Sequence, residues 1–107
     1  MIYLDSPYSH SDKAVRNERY FAVMKRTAEL INQGFFVYSP ILHNHNMADK
    51  YNLSSNFEFW QAFDKHMIDL AEAVYVLKLD GWNTSIGVNY EINYASTKGI
   101  LVVYFDV

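Results

Sequence analysis

Two carboxylates stand where the surrounding pattern calls for apolar side chains. Glu91 lies in Ser85-Ile86-Gly87-Val88-Asn89-Tyr90-Glu91-Ile92-Asn93-Tyr94-Ala95 and shares a helical stripe with Val88 and Ala95. Asp64 falls on one side of a helix with Phe57, Trp60, Met67 and Ile68. Asp69 and Glu72 instead share a face with Lys65 and His66 and read as solvated surface. A carboxylate aimed at a sheet is costly unless it is paired or used, because burial disfavours its ionised form. Two such groups, one from each of two elements meeting at a crevice, are the equipment for cleaving a glycosidic bond. One attacks the anomeric carbon, and the other manages the leaving group or the sugar hydroxyls.

An anion site is written next to Glu91. Ser85 opens the helix, where free backbone N–H groups and the helix dipole favour negative charge, so its hydroxyl and the amides of Ile86 and Gly87 can hold a phosphate. Ser6 and Ser9 follow the first strand and line the same site from the other side. Arg16 and Arg19, one to two turns into the first helix, could reach this site but read first as helix surface. His43 and His45 sit in a lid-like segment with Asn44 and Asn46; without HExxH-type spacing they read as hydrogen-bonding groups and not as metal ligands. His10 and His66 look like surface residues, and Tyr8, Phe57, Trp60 and Trp82 are the aromatics able to stack on a base. There is no GxGxxG and no Walker A loop, so dinucleotide and nucleoside-triphosphate chemistry has no support.

The elements that must position these groups alternate. Ile2-Tyr3-Leu4 reads as a buried strand stopped by Ser6-Pro7, and a helix follows from about Asp12 to Gln33, ended by Gly34. Its apolar positions Phe21, Met24, Ala28 and Ile31 form the stripe, widened by Tyr20, Val23 and Leu30. Phe35-Phe36-Val37-Tyr38 is the second strand, closed by Ser39-Pro40, and Ile41 to Ser54 reads as a loop with a short helix. Ser55-Asn56-Phe57-Glu58 fits a capping box for a helix to about Glu72. Ala73 to Leu77 is a strand, Ile86 to Lys98 a helix capped by Gly99, and Ile100 to Tyr104 the last strand. This order predicts one α/β domain over residues 1–107: an open parallel sheet of four to five strands with helices on both faces, Rossmann- or flavodoxin-like. Ligands of such sheets bind beyond the carboxyl ends of the strands.

Composition narrows the classes. The formal net charge of -3 argues against a nucleic-acid partner, which needs a basic face. With no cysteine, disulfides, thiolate metal sites and cysteine nucleophiles are excluded. No apolar run approaches membrane-spanning length and nothing resembles a signal peptide, so the expectation is a cytoplasmic protein with no membrane partner. A domain of 107 residues that is 50% hydrophobic leaves apolar surface exposed, which points to a homo-oligomer.

The motifs also carry a resemblance. Ile2-Tyr3-Leu4-Asp5-Ser6-Pro7-Tyr8 resembles the opening "YLAxP" of the nucleoside 2-deoxyribosyltransferase superfamily. Ser85-x-Gly87-x-x-x-Glu91-Ile92-x-x-Ala95 resembles its "S/D-x-G-x-x-x-E-hydrophobic-G-x-A" signature. Ser39 to His43, the Phe59-Trp60 pair and Leu79-Asp80-Gly81-Trp82 look like a small phage and bacterial branch of it. The resemblance implies that Glu91 is the nucleophile at C1′, that Asp64 acts on the leaving base or the sugar hydroxyls, and that Tyr3 is the tyrosine near the nucleophile. Serine at position 85, where the transferases commonly carry aspartate, is similar to the nucleoside 5′-monophosphate N-glycosidases and implies a phosphate contact. The substrate contacts so expected are Ser85, Gly87, Ser6, Pro7, Tyr8, Ser9, His43 and Trp60, with no cofactor and no metal, in a homodimer. Three departures stand out: Asp5 replaces a small neutral residue and adds negative charge where sugar or phosphate would lie, Asn93 replaces a glycine, and no basic residue clearly matches the arginine that helps hold phosphate.

The expected activity is therefore hydrolysis of the base–sugar bond of a (deoxy)nucleoside 5′-monophosphate through a glutamyl-sugar intermediate. The alternatives are transfer of the sugar to a second base and a nucleotide-binding module without turnover. A phosphoacceptor receiver domain fits poorly, since Asp5 and Lys98 alone do not make its acidic cluster and late lysine.

Overall fold

The computed structural model describes every residue of the chain except Ser55. Four parallel strands, β1 (Ile2–Asp5), β2 (Val37–Tyr38), β3 (Ala73–Leu77) and β4 (Leu101–Phe105), form one sheet in the order β2-β1-β3-β4. Between them run α1 (Lys13–Asn32), α2 (Pro40–Lys50), α3 (Phe57–Asp69) and α4 (Ile86–Thr97). The chain steps from β1 to β2 on one side, then crosses to β3 on the other. That reversal opens a crevice beyond the carboxyl ends of β1 and β3.

Strand alternation sorts the core into two layers. Leu4 and Leu77 pack with Val23 and Leu30 of α1 and Ile41 of α2. Tyr3, Val74 and Val76 pack on the opposite face with Ile68 of α3 and Val88 and Ala95 of α4. Each of these buried aliphatic side chains contributes about 1.5–3 kcal/mol relative to exposure. Asp5, two residues after Tyr3, falls on the same face as Tyr3, under α3 and α4.

Three expectations need correction. The buried stripe of α1 is Val23, Thr27 and Leu30, while Phe21, Met24 and Ile31 face outward, Phe21 at 63% exposure. Two stripes overlap in this sequence at the same spacing, and Thr27 can serve in the buried one because its hydroxyl donates to the Val23 carbonyl at 2.7 Å. The segment after β2 is not mainly loop: Ser39 caps α2 by accepting from the Leu42 amide at 3.2 Å, and Pro40 occupies the first helical turn. Ser39-Pro40 is thus a helix start, for which proline's fixed φ and missing N–H are suited. The second strand is shorter than expected, since Phe35 and Phe36 lie outside β2 and are exposed.

The proposed capping box of α3 begins on Ser55, which lies outside the described residues. The N-cap is Asn56, whose side chain makes no capping hydrogen bond, and the helix ends at Asp69 instead of Glu72. Gly34 after α1 adopts φ 96°, a left-handed conformation that costs glycine nothing. No helix among the described residues is long and apolar enough to cross a membrane.

Candidate active site

A cleft of about 520 Å³ opens at the carboxyl ends of β1 and β3, where the sheet reverses direction. Asp5 at the end of β1, Asp64 from α3 and Glu91 from α4 form part of its lining, and all three are buried, at 1%, 7% and 6% exposure. The helical stripes explain why they meet. Val88, Glu91 and Ala95 are the buried residues of α4, and Asp64 and Ile68 those of α3. The same spacing that seats Val88 and Ile68 on the sheet therefore swings a carboxylate from each helix over the end of β1.

Glu91 is the hub. Tyr3, fully buried behind it, donates its hydroxyl to Oε2 of Glu91. The carboxyls of Asp5 and Asp64 both lie within hydrogen-bonding reach of Glu91, although Oδ2 of Asp5 and Oδ1 of Asp64 have no donor among the described residues. Burial, followed by the negative charge of Asp5, pushes Glu91 well above the ordinary carboxylate range. Burial is also the chief cause that raises Asp5 to about 8, and it raises Asp64 to about 8 ahead of the Glu91 charge. Tyr3 is pushed well above the ordinary phenol range by burial and then by Glu91, so its hydroxyl stays a donor. The three carboxyls titrate as one coupled unit. Burial thus works against the full negative charge expected of Asp5 in the cleft.

This coupling ties activity to stability. Unfolded carboxyls release their protons near pH 4, whereas Asp5 and Asp64 retain theirs to about 8, so the unfolded state binds fewer protons across that interval. Stability from this source is complete below pH 4, falls as pH rises towards 8, and is level above. Glu91→Gln keeps the shape, accepts from Tyr3, and supplies amide protons to the two unpaired carboxyl oxygens. We expect its melting temperature at pH 8 to exceed that of the unsubstituted protein by about 4–8 °C, equivalent to roughly 1 kcal/mol. Thermal melts at pH 5 and 8 check this, and a Gln variant that melts lower at both values would refute it.

The remaining expected residues divide. Ser6, Pro7, Tyr8, Ser9, Trp60, Ser85 and Gly87 line the cleft, whereas Tyr3 lies behind its floor. Trp60 is anchored by its indole N–H, which donates to the Ser54 carbonyl at 2.6 Å. His43 is not part of the lining. It stacks on Phe63 at 5.2 Å and lies near Asp64, and the neighbouring helix positions Asn44 and His45 face the cleft. Trp82 packs against Tyr104 at 5.6 Å, away from the cleft. Among the described residues, no group of three or more His, Asp or Glu side chains is arranged to hold a metal ion.

These residues belong to a defined family. The family described as "Domain of unknown function (DUF1937)" matches residues 1–107. The chain is a member of it. No curated protein matches the chain.

Within this DUF1937 domain the structure also places in the cleft residues that the sequence pattern did not single out as site residues. Arg19 lines it, correcting its reading as helix surface: its guanidinium donates to the Ser9 carbonyl at 3.0 Å and the Asp80 carbonyl at 2.9 Å, joining the loops that follow β1 and β3. Gly81 admits this approach, since a Cβ there would meet the guanidinium at 3.0 Å and its φ is 89°. On the α2 wall, the Tyr8 hydroxyl hydrogen-bonds Nδ1 of His45, whose ring stacks on Tyr20 at 4.2 Å. Burial lowers His45 below the ordinary imidazole range, outweighing the opposing effect of Asp49. Opposite stands the start of α4, where Ser85 Oγ accepts from the Val88 amide at 3.2 Å and keeps its own proton free to donate. A Cβ on Gly87 would come within 3.2 Å of the Phe57 ring, so glycine lets α3 close against this turn.

Proposed function

We propose that this protein is an N-glycosidase that hydrolyses the base–sugar bond of a nucleoside 5′-monophosphate. The observation that carries the reading is the convergence of two buried carboxyls, Asp64 and Glu91, on one cleft, with Tyr3 donating to Glu91 from behind. Glu91, once it has given up to solvent the proton that burial holds on it, attacks C1′ through a carboxylate oxygen and forms an ester. The C1′–N bond breaks, its electron pair goes to the base nitrogen, and that nitrogen takes the proton of Asp64. Water then attacks C1′, giving one proton back to Asp64 and releasing Glu91 as carboxylate.

The phosphate belongs at the opening turn of α4. The amides of Ile86 and Gly87 there have no carbonyl four residues back, the Ser85 hydroxyl can donate, and Arg19 lines the same cleft. The aromatic wall of Trp60 and Phe57 and the polar wall of Asn44 and His45 suit a base. Together with the resemblance to the nucleoside 5′-monophosphate N-glycosidases, these features support a monophosphate over an unphosphorylated nucleoside. Exposed Phe59, Phe63 and Ile86 on the helices that frame the cleft support the homodimer that the resemblance implies.

Incubation with nucleosides and their 5′-monophosphates, followed by chromatography for free bases, tests the reading. Monophosphates are expected to release base and nucleosides to do so poorly. Ser85→Ala is expected to raise KM for the monophosphate about tenfold, equivalent to about 1.4 kcal/mol, with little effect on the nucleoside. Equal effects on both would remove the phosphate role. A new nucleoside on addition of a second base would make the protein a transferase, and tight binding without base release would make it a nucleotide-binding module.

A further inference from the structure

The α2 wall of the cleft presents two hydrogen-bond donors, each fixed by a neighbouring side chain. Asn44 and His45 both line the cleft. The hydrogen bond of His45 is made at Nδ1, with the Tyr8 hydroxyl. A phenol is the stronger acid of that pair and an imidazole nitrogen the stronger acceptor, so Tyr8 donates and Nδ1 accepts. An imidazole that accepts at Nδ1 carries its proton on Nε2. Tyr20 holds the ring by stacking on it at 4.2 Å, and the Tyr8 ring meets it edge-on at 5.5 Å. Tyr20 is not part of the lining, so the Nε2–H edge is the polar end left to the cleft. For Asn44, Oδ1 lies 2.5 Å from Nδ1 of His43. An amide oxygen only accepts, so His43 donates, from outside the lining. The amide nitrogen of Asn44, with its two protons, is what remains for a ligand.

Bases differ in what they offer to two donors. A 6-oxopurine carries two neighbouring acceptors, O6 and N7, on one edge. Adenine sets a donor amino group beside N7, cytosine offers an amino donor, and uracil and thymine offer one carbonyl there. A donor brought against an amino group leaves both unpaired, which costs more than a missing contact. We propose that Asn44 and His45 read the base, and that the cleft takes guanosine or inosine 5′-monophosphate with the two donors on O6 and N7. Tyr8 is the positioning residue that keeps the His45 proton on Nε2. The choice of base rests on the nucleotide reading of the cleft and does not require turnover.

Calorimetric binding of nucleoside 5′-monophosphates tests this without chemistry. Guanosine and inosine monophosphates are expected to bind about 100-fold more tightly than adenosine monophosphate. With carbon in place of N7, 7-deazaguanosine 5′-monophosphate should bind about tenfold more weakly than guanosine monophosphate. Asn44→Asp, whose second oxygen would face the cleft as an acceptor, should turn the preference towards adenosine monophosphate. Nitrogen NMR of the His45 ring should find the proton on Nε2 in the unsubstituted protein and shared between both nitrogens in Tyr8→Phe. The preference for the 6-oxopurine should fall about tenfold in that variant. Failure to release base from any monophosphate, with this order of binding intact, would end the glycosidase reading and leave the base assignment standing. Equal binding of guanosine and adenosine monophosphates, binding of neither, an unchanged preference in Asn44→Asp, or a His45 proton on Nδ1 would each overturn it.

Discussion

Glu91→Gln should lower base release on the order of 10⁴-fold or more, a loss of about 5.4 kcal/mol of transition-state stabilisation, while the protein stays folded. The two halves of that result have one cause. Glutamine fills the same volume on the buried face of α4, so the packing of Val88 and Ala95 against the sheet is undisturbed. It accepts from Tyr3 and donates towards Asp5 and Asp64, whose orphaned oxygens gain partners. An amide is nevertheless far too weak a nucleophile to form the ester at C1′. Single-turnover base release, measured with circular dichroism on the same samples, separates lost chemistry from lost structure. Activity within tenfold of the unsubstituted protein would remove Glu91 from the centre of the reaction.

Asp64→Asn should cost about 10²- to 10⁴-fold, the usual worth of a positioned acid, and the loss should depend on the leaving group. Burial and the Glu91 charge hold Asp64 up to about 8, so it enters the reaction protonated at neutral pH and loses that proton as pH rises through 8. The rate of the unsubstituted protein should therefore decline above pH 8. A base that departs without needing a proton bypasses this requirement. With 7-methylguanosine 5′-monophosphate, whose base leaves neutral from a cationic ring, Asp64→Asn should lose no more than about tenfold, far less than with ordinary monophosphates. Equal losses on the two substrate types would mean that Asp64 binds the sugar and does not protonate the base.

Much of the site was legible because helical periodicity and side-chain chemistry disagreed at particular positions. Glu91 and Asp64 interrupt apolar stripes, and both prove to be buried residues of their helices. Serine before a helix is a local signal, and Ser85 caps α4 as its position implies. The α1 stripe is ambiguous along the chain because two sets of side chains recur there at equivalent spacing, and nothing local says which one meets the sheet. Ser39-Pro40 reads along the chain as a strand stop, because serine and proline end strands as readily as they begin helices.

The sequence by itself determined the alternation of strands and helices, the parallel sheet, and the two acids that do not fit their stripes. Those properties depend on spacing along one element, and spacing is local. Only the tertiary structure decided that β1 lies between β2 and β3, placing the reversal of the sheet above Asp5. It also decided that Arg19 joins the loops after β1 and β3, and that His45 instead of His43 faces the cleft. These depend on how separate elements turn towards one another. The change is largest for Asp5, read along the chain as unwanted negative charge. Under α3 and α4 it is a buried carboxyl on the cleft floor, and burial raises it above the ordinary carboxylate range.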